Sequence, residues 1–305
     1  MLAFQDVCAG YGASPVLRGV TVTFGPGLHV VLGPNGAGKT TLFRVGAGIL
    51  PPYGGCVRIF GQELYRNPQA KRHVAYLPHR PALHPGLTVQ ENLEFWARVV
   101  GIPLGARATR IREALERLGL LDLALRRAGT LSRGQAQRVA AARALVQEAR
   151  VLLLDEPTAG MDPEAARTLR TLVRDLARSG CTVLLSTHNL YEASELGEDV
   201  VLLGAGRILG RGTAEELRER FAPRRRVALR VVGEPGRVFA ELGLAGVREG
   251  SRWVVEVGGD EEVGRLVRAL VEAGVEVREV TGLRTPLEEV YFGLLEGLPD
   301  GWRDE

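Results

Sequence analysis

The stretch Leu28-His29-Val30-Val31-Leu32 runs straight into Gly33-Pro34-Asn35-Gly36-Ala37-Gly38-Lys39-Thr40-Thr41-Leu42. The first five residues read as a buried strand. Behind the turn, Leu42, Val45, Gly46 and Ile49 recur at helical spacing until Pro51-Pro52 stops them. A glycine-rich turn between strand and helix exposes successive N–H groups, which join the positive end of the helix in one anion site. Gly33, Gly38, Lys39 and Thr40 satisfy the spacing G-x-x-x-x-G-K-[ST]. A mere connector has no need of lysine at that position. A phosphate cradle does, because Lys39 brings a point charge to the β and γ phosphates and the Thr40 hydroxyl is a ligand for Mg²⁺. Asn35, Gly36, Ala37 and Thr41 complete that cradle.

A second element fits the first. Val151-Leu152-Leu153-Leu154-Asp155-Glu156 is an apolar strand ending in two carboxylates, placed where open α/β sheets bind ligands. Asp155 is expected to hold Mg²⁺ and Glu156 to polarise an attacking water as general base. Further parallel-strand signals at Thr182–Ser186 and Val200–Leu203, with helices between, imply an α/β core. Short alternating strands precede it at 2–8 and 20–24. A helix-rich insert interrupts it at about 87–125, with segments Asn92–Val100 and Arg110–Leu118 broken by Gly101-Ile102-Pro103.

The 305 residues favour two domains, and the texture changes past Glu219. Arg220-Phe221-Ala222-Pro223 with three arginines behind it reads as a linker between domains 1–219 and 220–305. In the second domain Val263, Leu266, Val267, Leu270 and Val271 mark an amphipathic helix between strands near 252–257 and 275–280, which makes a small α+β unit. A net charge of only +3 gives no reason to expect nucleic acid as a partner. Cys8, Cys56 and Cys181 are too few and too scattered for a disulfide framework and fit a reducing compartment. With no leader and no apolar run of spanning length, the expected location is the cytoplasm.

Upstream of the acidic strand lies Leu131-Ser132-Arg133-Gly134-Gln135, at the start of a helix carrying Arg138, Ala141, Arg143, Ala144 and Leu145. This resembles the LSGGQ signature of ATP-binding cassette (ABC) ATPases, with Ser132 at the N-cap position. Other positions are similar to the same family: Tyr11 to the aromatic that stacks on adenine, Asp162 to the D-loop aspartate, and His188 to the switch histidine at the γ phosphate. The resemblance covers roughly residues 2–219. It implies ATP and Mg²⁺, hydrolysis, and a head-to-tail sandwich with ATP between the loop at Gly33 of one subunit and the signature at Ser132 of the other, by default a homodimer, with a second cassette as the alternative partner. It also implies a separate membrane permease docked on the helical insert, where Phe95, Trp96 and Val99 are candidate anchors, and hence a peripheral membrane location.

Two residues depart from the family pattern. His79 ends Tyr76-Leu77-Pro78-His79 where the family has glutamine; a histidine is shorter, which puts direct metal contact in question, and His79 is expected still to transmit γ-phosphate occupancy to the catalytic site and to make activity sensitive to pH. Arg133 replaces the first signature glycine, with its guanidinium expected in solvent beside the nucleotide. The tail stretch Thr285-Pro286-Leu287-Glu288-Glu289-Val290-Tyr291-Phe292 resembles the closing helix of exporter-type cassettes that work with separate six-helix permeases. Importer subunits with tails carry a β-barrel instead, which the helical periodicity at 263–271 disfavours.

Overall fold

The computed structural model describes residues 1–12, 14–196, 198–221 and 225–283, together with Leu287 and Val290. Two compact units emerge, Met1–Arg211 and Gly212–Glu305.

The first unit opens with β1 (Leu2–Tyr11) and β2 (Ser14–Phe24), both longer than their alternation predicts. Their antiparallel register slips between Phe4 and Val7, again before Ala9 and again before Gly10, and Asp6 adopts a φ of 50°. Each such bulge moves the side chains that follow to the other face, so period 2 fails although pairing continues. β3 (Gly27–Leu32) then leads through the glycine turn into α1 (Lys39–Gly46), followed by β4 (Gly54–Ile59), β5 (Gln62–Glu63) and β6 (Val74–Leu77).

The helical segment contains α2 (Val89–Val99) and α3 (Leu104–Arg117). The α2 start is set by a capping box, in which Thr88 Oγ1 accepts from the Glu91 N–H and the Glu91 carboxylate accepts from the Thr88 N–H. Pro103 stands immediately before α3, so this helix begins about two turns ahead of the apolar residues from which it was read. α4 (Arg133–Gln147) leads to β7 (Val151–Asp155), and α5 (Pro163–Arg178), β8 (Thr182–Thr187), α6 (Leu190–Leu196), β9 (Val200–Gly204) and β10 (Arg207–Gly212) follow.

Two sheets share this unit. The six-stranded sheet has the order β10-β9-β3-β8-β7-β6, parallel at β9/β3, β3/β8, β8/β7 and β7/β6. Every residue of β7, β8 and β9 is buried, as expected of strands covered on both faces, which explains their uninterrupted apolar reading. One core joins this sheet to α1 and to the four-stranded antiparallel sheet β2-β1-β4-β5, through Phe4, Phe24, Leu42, Phe43, Leu153 and Leu184. A second core joins it to α2, α3, α4 and α5, through Leu93, Ile111, Leu115, Val139, Leu152 and Leu172. The glycine turn and the carboxylates sit at the C-terminal ends of β3 and β7, two strands that run parallel on either side of β8, which is what gathers the site.

The second unit begins with α7 (Ala214–Phe221) and continues as β11 (Arg225–Val232), α8 (Gly236–Glu241), β12 (Gly246–Glu249), β13 (Arg252–Val257), α9 (Asp260–Glu272) and β14 (Glu276–Gly282). The sheet order β12-β13-β11-β14, antiparallel throughout, with the element order β-α-β-β-α-β, is the split βαβ or ferredoxin-like arrangement. Its core packs Val227, Leu229, Val255 and Val257 against Phe239, Leu266 and Leu270. The buried stripe of α9 takes in Val263 and Ala269, while Val271, read as part of that stripe, is 59% exposed. Residues 222–224 of the linker and most of the stretch from Thr285 to Phe292 lie outside the described residues.

Candidate active site

The phosphate loop keeps its donors available because of how α1 starts. Gly38 stands at the N-cap with φ 105°, a left-handed conformation that favours glycine, and it has no side chain with which to cap the first turn. The N–H groups of that turn therefore open onto a cleft of about 290 Å³ lined by Asn35, Gly36, Gly38, Lys39, Thr40 and Glu156, among others. Ala37 is fully buried, and its carbonyl accepts from Gly206 N–H at 3.2 Å, which ties the loop to the turn between β9 and β10. Thr41 is buried beneath the loop.

Lys39 is 6% exposed and donates from Nζ to the carbonyls of Gly33 at 2.7 Å and Pro34 at 2.9 Å. Its ammonium also lies 3.7 Å from Glu156 Oε1. Burial pulls its pKa down, and the carboxylates of Glu156 and Asp155 work against that pull.

Asp155 and Glu156 are neighbours in sequence with different surroundings. Asp155 faces hydroxyls: Ser186 Oγ donates to Oδ1 at 2.7 Å, while Thr40 Oγ1 at 2.8 Å and Tyr76 OH at 3.3 Å donate to Oδ2. Burial, then the Asp155 charge, pushes the Tyr76 phenol up to about 12, so it stays a donor at neutral pH. The sequence alone assigns no role to Tyr76 or Ser186. The available signal was adjacency, since Ser186 precedes Thr187-His188 and pairs in register with Asp155 across β7 and β8.

Glu156 instead faces two histidines and the ammonium of Lys39. Its backbone sits at φ 48°, with its N–H bonded to Ser186 O at 3.2 Å and Ser186 Oγ at 3.0 Å. His188 Nδ1 is 3.0 Å from Oε1, and His79 Nδ1 is 3.6 Å from Oε2. Burial alone would raise its pKa, yet the His188 hydrogen bond and charge, with Lys39 and His79, hold the carboxyl below the usual range. It is ionised at neutral pH and has a hydrogen-bonded histidine at its side.

The other predicted residues fall in two places. Tyr11 ends β1, 47% exposed, with its hydroxyl accepting from Arg44 Nη1 at 2.9 Å and the Arg44 guanidinium 5.8 Å from its ring centre. Ser132 caps α4: its Oγ accepts from Gln135 N–H at 3.2 Å, and Gln135 Oε1 accepts from Ser132 N–H at 3.0 Å. That box uses the N3 donor, so the N–H groups of Arg133 and Gly134 are the helix-start donors for an anion. Asp162 caps α5 through Ala165 N–H at 2.8 Å. Arg133 corrects an expectation: although exposed, its guanidinium lies against Gly160, and Nη2 approaches His79 Nε2 at 3.3 Å. On the helical segment Phe95 and Val99 are 61% and 60% exposed, whereas Trp96, expected beside them, is half-buried under the Arg143 guanidinium.

Comparison with known proteins agrees with this geometry. The family model for ABC transporter matches residues 17–159. The daunorubicin resistance ATP-binding protein DrrA3 of Streptomyces coeruleorubidus is 38% identical over 293 residues, which cover 93% of this chain and 92% of the relative. The molybdate/tungstate import ATP-binding protein WtpC of Pyrococcus horikoshii is 33% identical over 292 residues, covering 93% and 81%. The structure is similar to a dimeric post-hydrolysis state of the ATP-binding cassette MJ0796 bound to ADP and Pi, with a TM-score of 0.64 and 25% identity, covering 70% of this chain and 98% of the other. The phosphate loop, the acidic strand end and the capped signature helix have one common explanation: the chain belongs to the ABC transporter family, as an ATPase subunit whose ATP hydrolysis is coupled to transport.

Proposed function

We propose that two copies of this chain close head to tail on two ATP molecules and that Glu156 drives hydrolysis in each site. The observation that carries this reading is the setting of Glu156, an ionised carboxylate hydrogen-bonded by His188 and 3.7 Å from the ammonium of Lys39. In the sandwich, the loop from Gly33 to Thr41 and Lys39 bind the phosphates, and Tyr11 takes the adenine on its exposed side. The partner copy adds the start of its signature helix, with the N–H groups of its Arg133 and Gly134. Asp162 buttresses that helix start. A water held by Glu156 attacks the γ phosphorus; the water's proton passes to the carboxylate while the bond to the β-γ bridging oxygen breaks, leaving ADP and phosphate. His188 keeps the carboxylate oriented and faces the γ phosphate.

The donor set also fits Mg²⁺. The Thr40 hydroxyl and an Asp155 carboxylate oxygen converge at 2.8 Å, hard oxygen ligands of the kind that ion takes. When bound there, the ion neutralises charge on the phosphate oxygens. Among the described residues no cluster of three or more His, Cys, Asp or Glu forms a separate metal site.

Among the described residues no helix is long and apolar enough to cross a membrane. We assign the membrane-spanning part to a separate permease, docked at the exposed Phe95 and Val99, because the chain aligns with ATP-binding transport proteins over most of their length. Export is the direction we favour. The drug-resistance relative aligns over nearly its full length, and the tail is a split βαβ unit rather than a β-barrel.

Phosphate release measured at rising protein concentration tests the sandwich. The specific rate should climb with concentration and disappear in Glu156→Gln; a rate independent of concentration, or one that survives that substitution, would overturn the reading. For direction, inside-out vesicles carrying the chain with its permease should accumulate the transported compound on addition of ATP.

A further inference from the structure

The two departures from the family pattern touch each other. Arg133 stands where the family has glycine and His79 where it has glutamine, 54 positions apart in sequence, and the guanidinium Nη2 lies 3.3 Å from His79 Nε2. An arginine side chain has only donors and stays charged. For this contact to be a hydrogen bond, Nε2 must offer its lone pair, and a neutral ring must then carry its proton on Nδ1. That nitrogen is buried, has no hydrogen-bond partner, and lies 3.6 Å from Glu156 Oε2. A lone pair on Nδ1 would face a carboxylate oxygen and be repelled, whereas an N–H there is attracted. Both neighbours of the imidazole therefore select the same tautomer.

Gly160 fixes the third side of the arrangement. A Cβ added to it would fall 2.9 Å from Arg133 Cζ and Nη1 and 3.0 Å from Nε, and its φ of +72° disfavours any side chain. The guanidinium thus lies flat on this backbone, which limits where Nη2 can point.

We propose that Arg133 is a positioning residue for hydrolysis: it holds His79 as the Nδ1–H tautomer, and His79 in turn steadies the second oxygen of Glu156, opposite the one held by His188. The proposal rests on Glu156 being the general base. Arginine in the signature and histidine in place of glutamine are then one paired change: histidine is too short to act as glutamine does, and the arginine aims it at the carboxylate instead.

The first test needs no nucleotide. The chain holds only five histidines, so long-range ¹H–¹⁵N spectra of histidine-labelled protein can resolve them once His79→Gln assigns the signal. His79 should show a non-protonated Nε2 in the wild type, and Arg133→Ala should raise the population of the Nε2–H form, because only the Glu156 contact then opposes it. An Nε2–H form already present in the wild type would overturn the proposal. The second test is a double-mutant cycle in ATP hydrolysis. Arg133→Ala and His79→Ala should each lower kcat by about tenfold with KM for ATP nearly unchanged, and the double variant should be no worse than the poorer single one. Effects that simply multiply, or a loss seen only in KM, would mean that Arg133 acts on the nucleotide and not through His79. Activity that survives in Glu156→Gln would sink the general-base reading instead, and the tautomer result would stand apart from it.

Discussion

Strand β3 carries a histidine, carboxylate and cation cluster near each of its ends, and the two clusters differ in how completely they are satisfied. Near the N-terminal end, His29 is 6% exposed, with Nδ1 at 2.5 Å from Asp199 Oδ2 and Nε2 at 2.9 Å from Gly25 O. Both ring nitrogens thus meet an oxygen, a carboxylate on one side and a backbone carbonyl on the other. Arg211 closes the cluster with Nε and Nη2 at 2.8 Å from the two Asp199 oxygens and Nη1 at 2.7 Å from Thr23 O, its guanidinium lying over Phe24. Beyond the C-terminal end, Glu156 has one contact at 3.0 Å and two at 3.6 and 3.7 Å. The same residue types, saturated and sealed, hold a fold together. Left with spare lone pairs beside a cleft, they are free to act on a substrate.

The contrast is broken most sharply by Glu156→Gln. Loss of the base should cost at least about a hundredfold in kcat. The melting temperature should stay the same or rise slightly, because the carboxylate's cation contacts are long and its burial is a cost. A large drop in melting temperature would mean that this cluster too is structural. Asp199→Asn should do the reverse: a loss of about 2 kcal/mol of stability, discounted from the value for a fully buried pair because the carboxylate is partly exposed, with kcat for ATP unchanged.

The pH dependence of Asp199 carries a definite sign. Burial on its own would raise its pKa, but the hydrogen bonds and charges of His29 and Arg211 hold it far below the ordinary 3.8. A carboxyl depressed in the folded state contributes stability that is fully present above its unfolded pKa and is lost as the pH falls towards the folded one. Urea denaturation should therefore show the gap between wild type and Asp199→Asn narrowing as the pH falls from about 5 to below about 4. A gap that widened in acid would reverse the assignment.

What the sequence makes legible follows from how local each feature is. The strand-turn-helix at Gly33, the acidic strand end at Asp155, the cap at Ser132 and the stripe of α9 each lie within about twenty residues, where periodicity and capping rules act. Partners brought together by sheet register are not legible. Ser186 and Tyr76 reach Asp155 from the strands flanking β7 on either side, and the one local mark on either is that Ser186 precedes Thr187-His188. The same holds for Arg133 beside His79, and for the strand order of the tail, which depends on which strands pair rather than on where they lie. Bulges hide structure in another way: β1 and β2 continue past the point at which their alternation fails.

The smallest expected effect makes the finest comparison, because it applies one substitution to both clusters. Glutamine has one carbonyl acceptor and one amide donor group at a single branch point. At position 29 it must replace a ring whose two nitrogens meet Asp199 and Gly25 O, and its amide cannot serve both with good geometry; His29→Gln should cost about 1 to 2 kcal/mol in stability. At position 79 the ring accepts from Arg133 on one side and presents a donor to Glu156 on the other. Glutamine can repeat that pattern, with its carbonyl towards the guanidinium and its amide towards the carboxylate. His79→Gln should then keep the melting temperature and change kcat by less than about threefold, although His79→Ala does not. Thermal denaturation and phosphate release on the two glutamine variants settle the matter together. If His79→Gln destabilises the chain as much as His29→Gln, the contact between Arg133 and His79 is a structural brace, and the division between the sealed and the open cluster fails at the residue where it is most finely drawn.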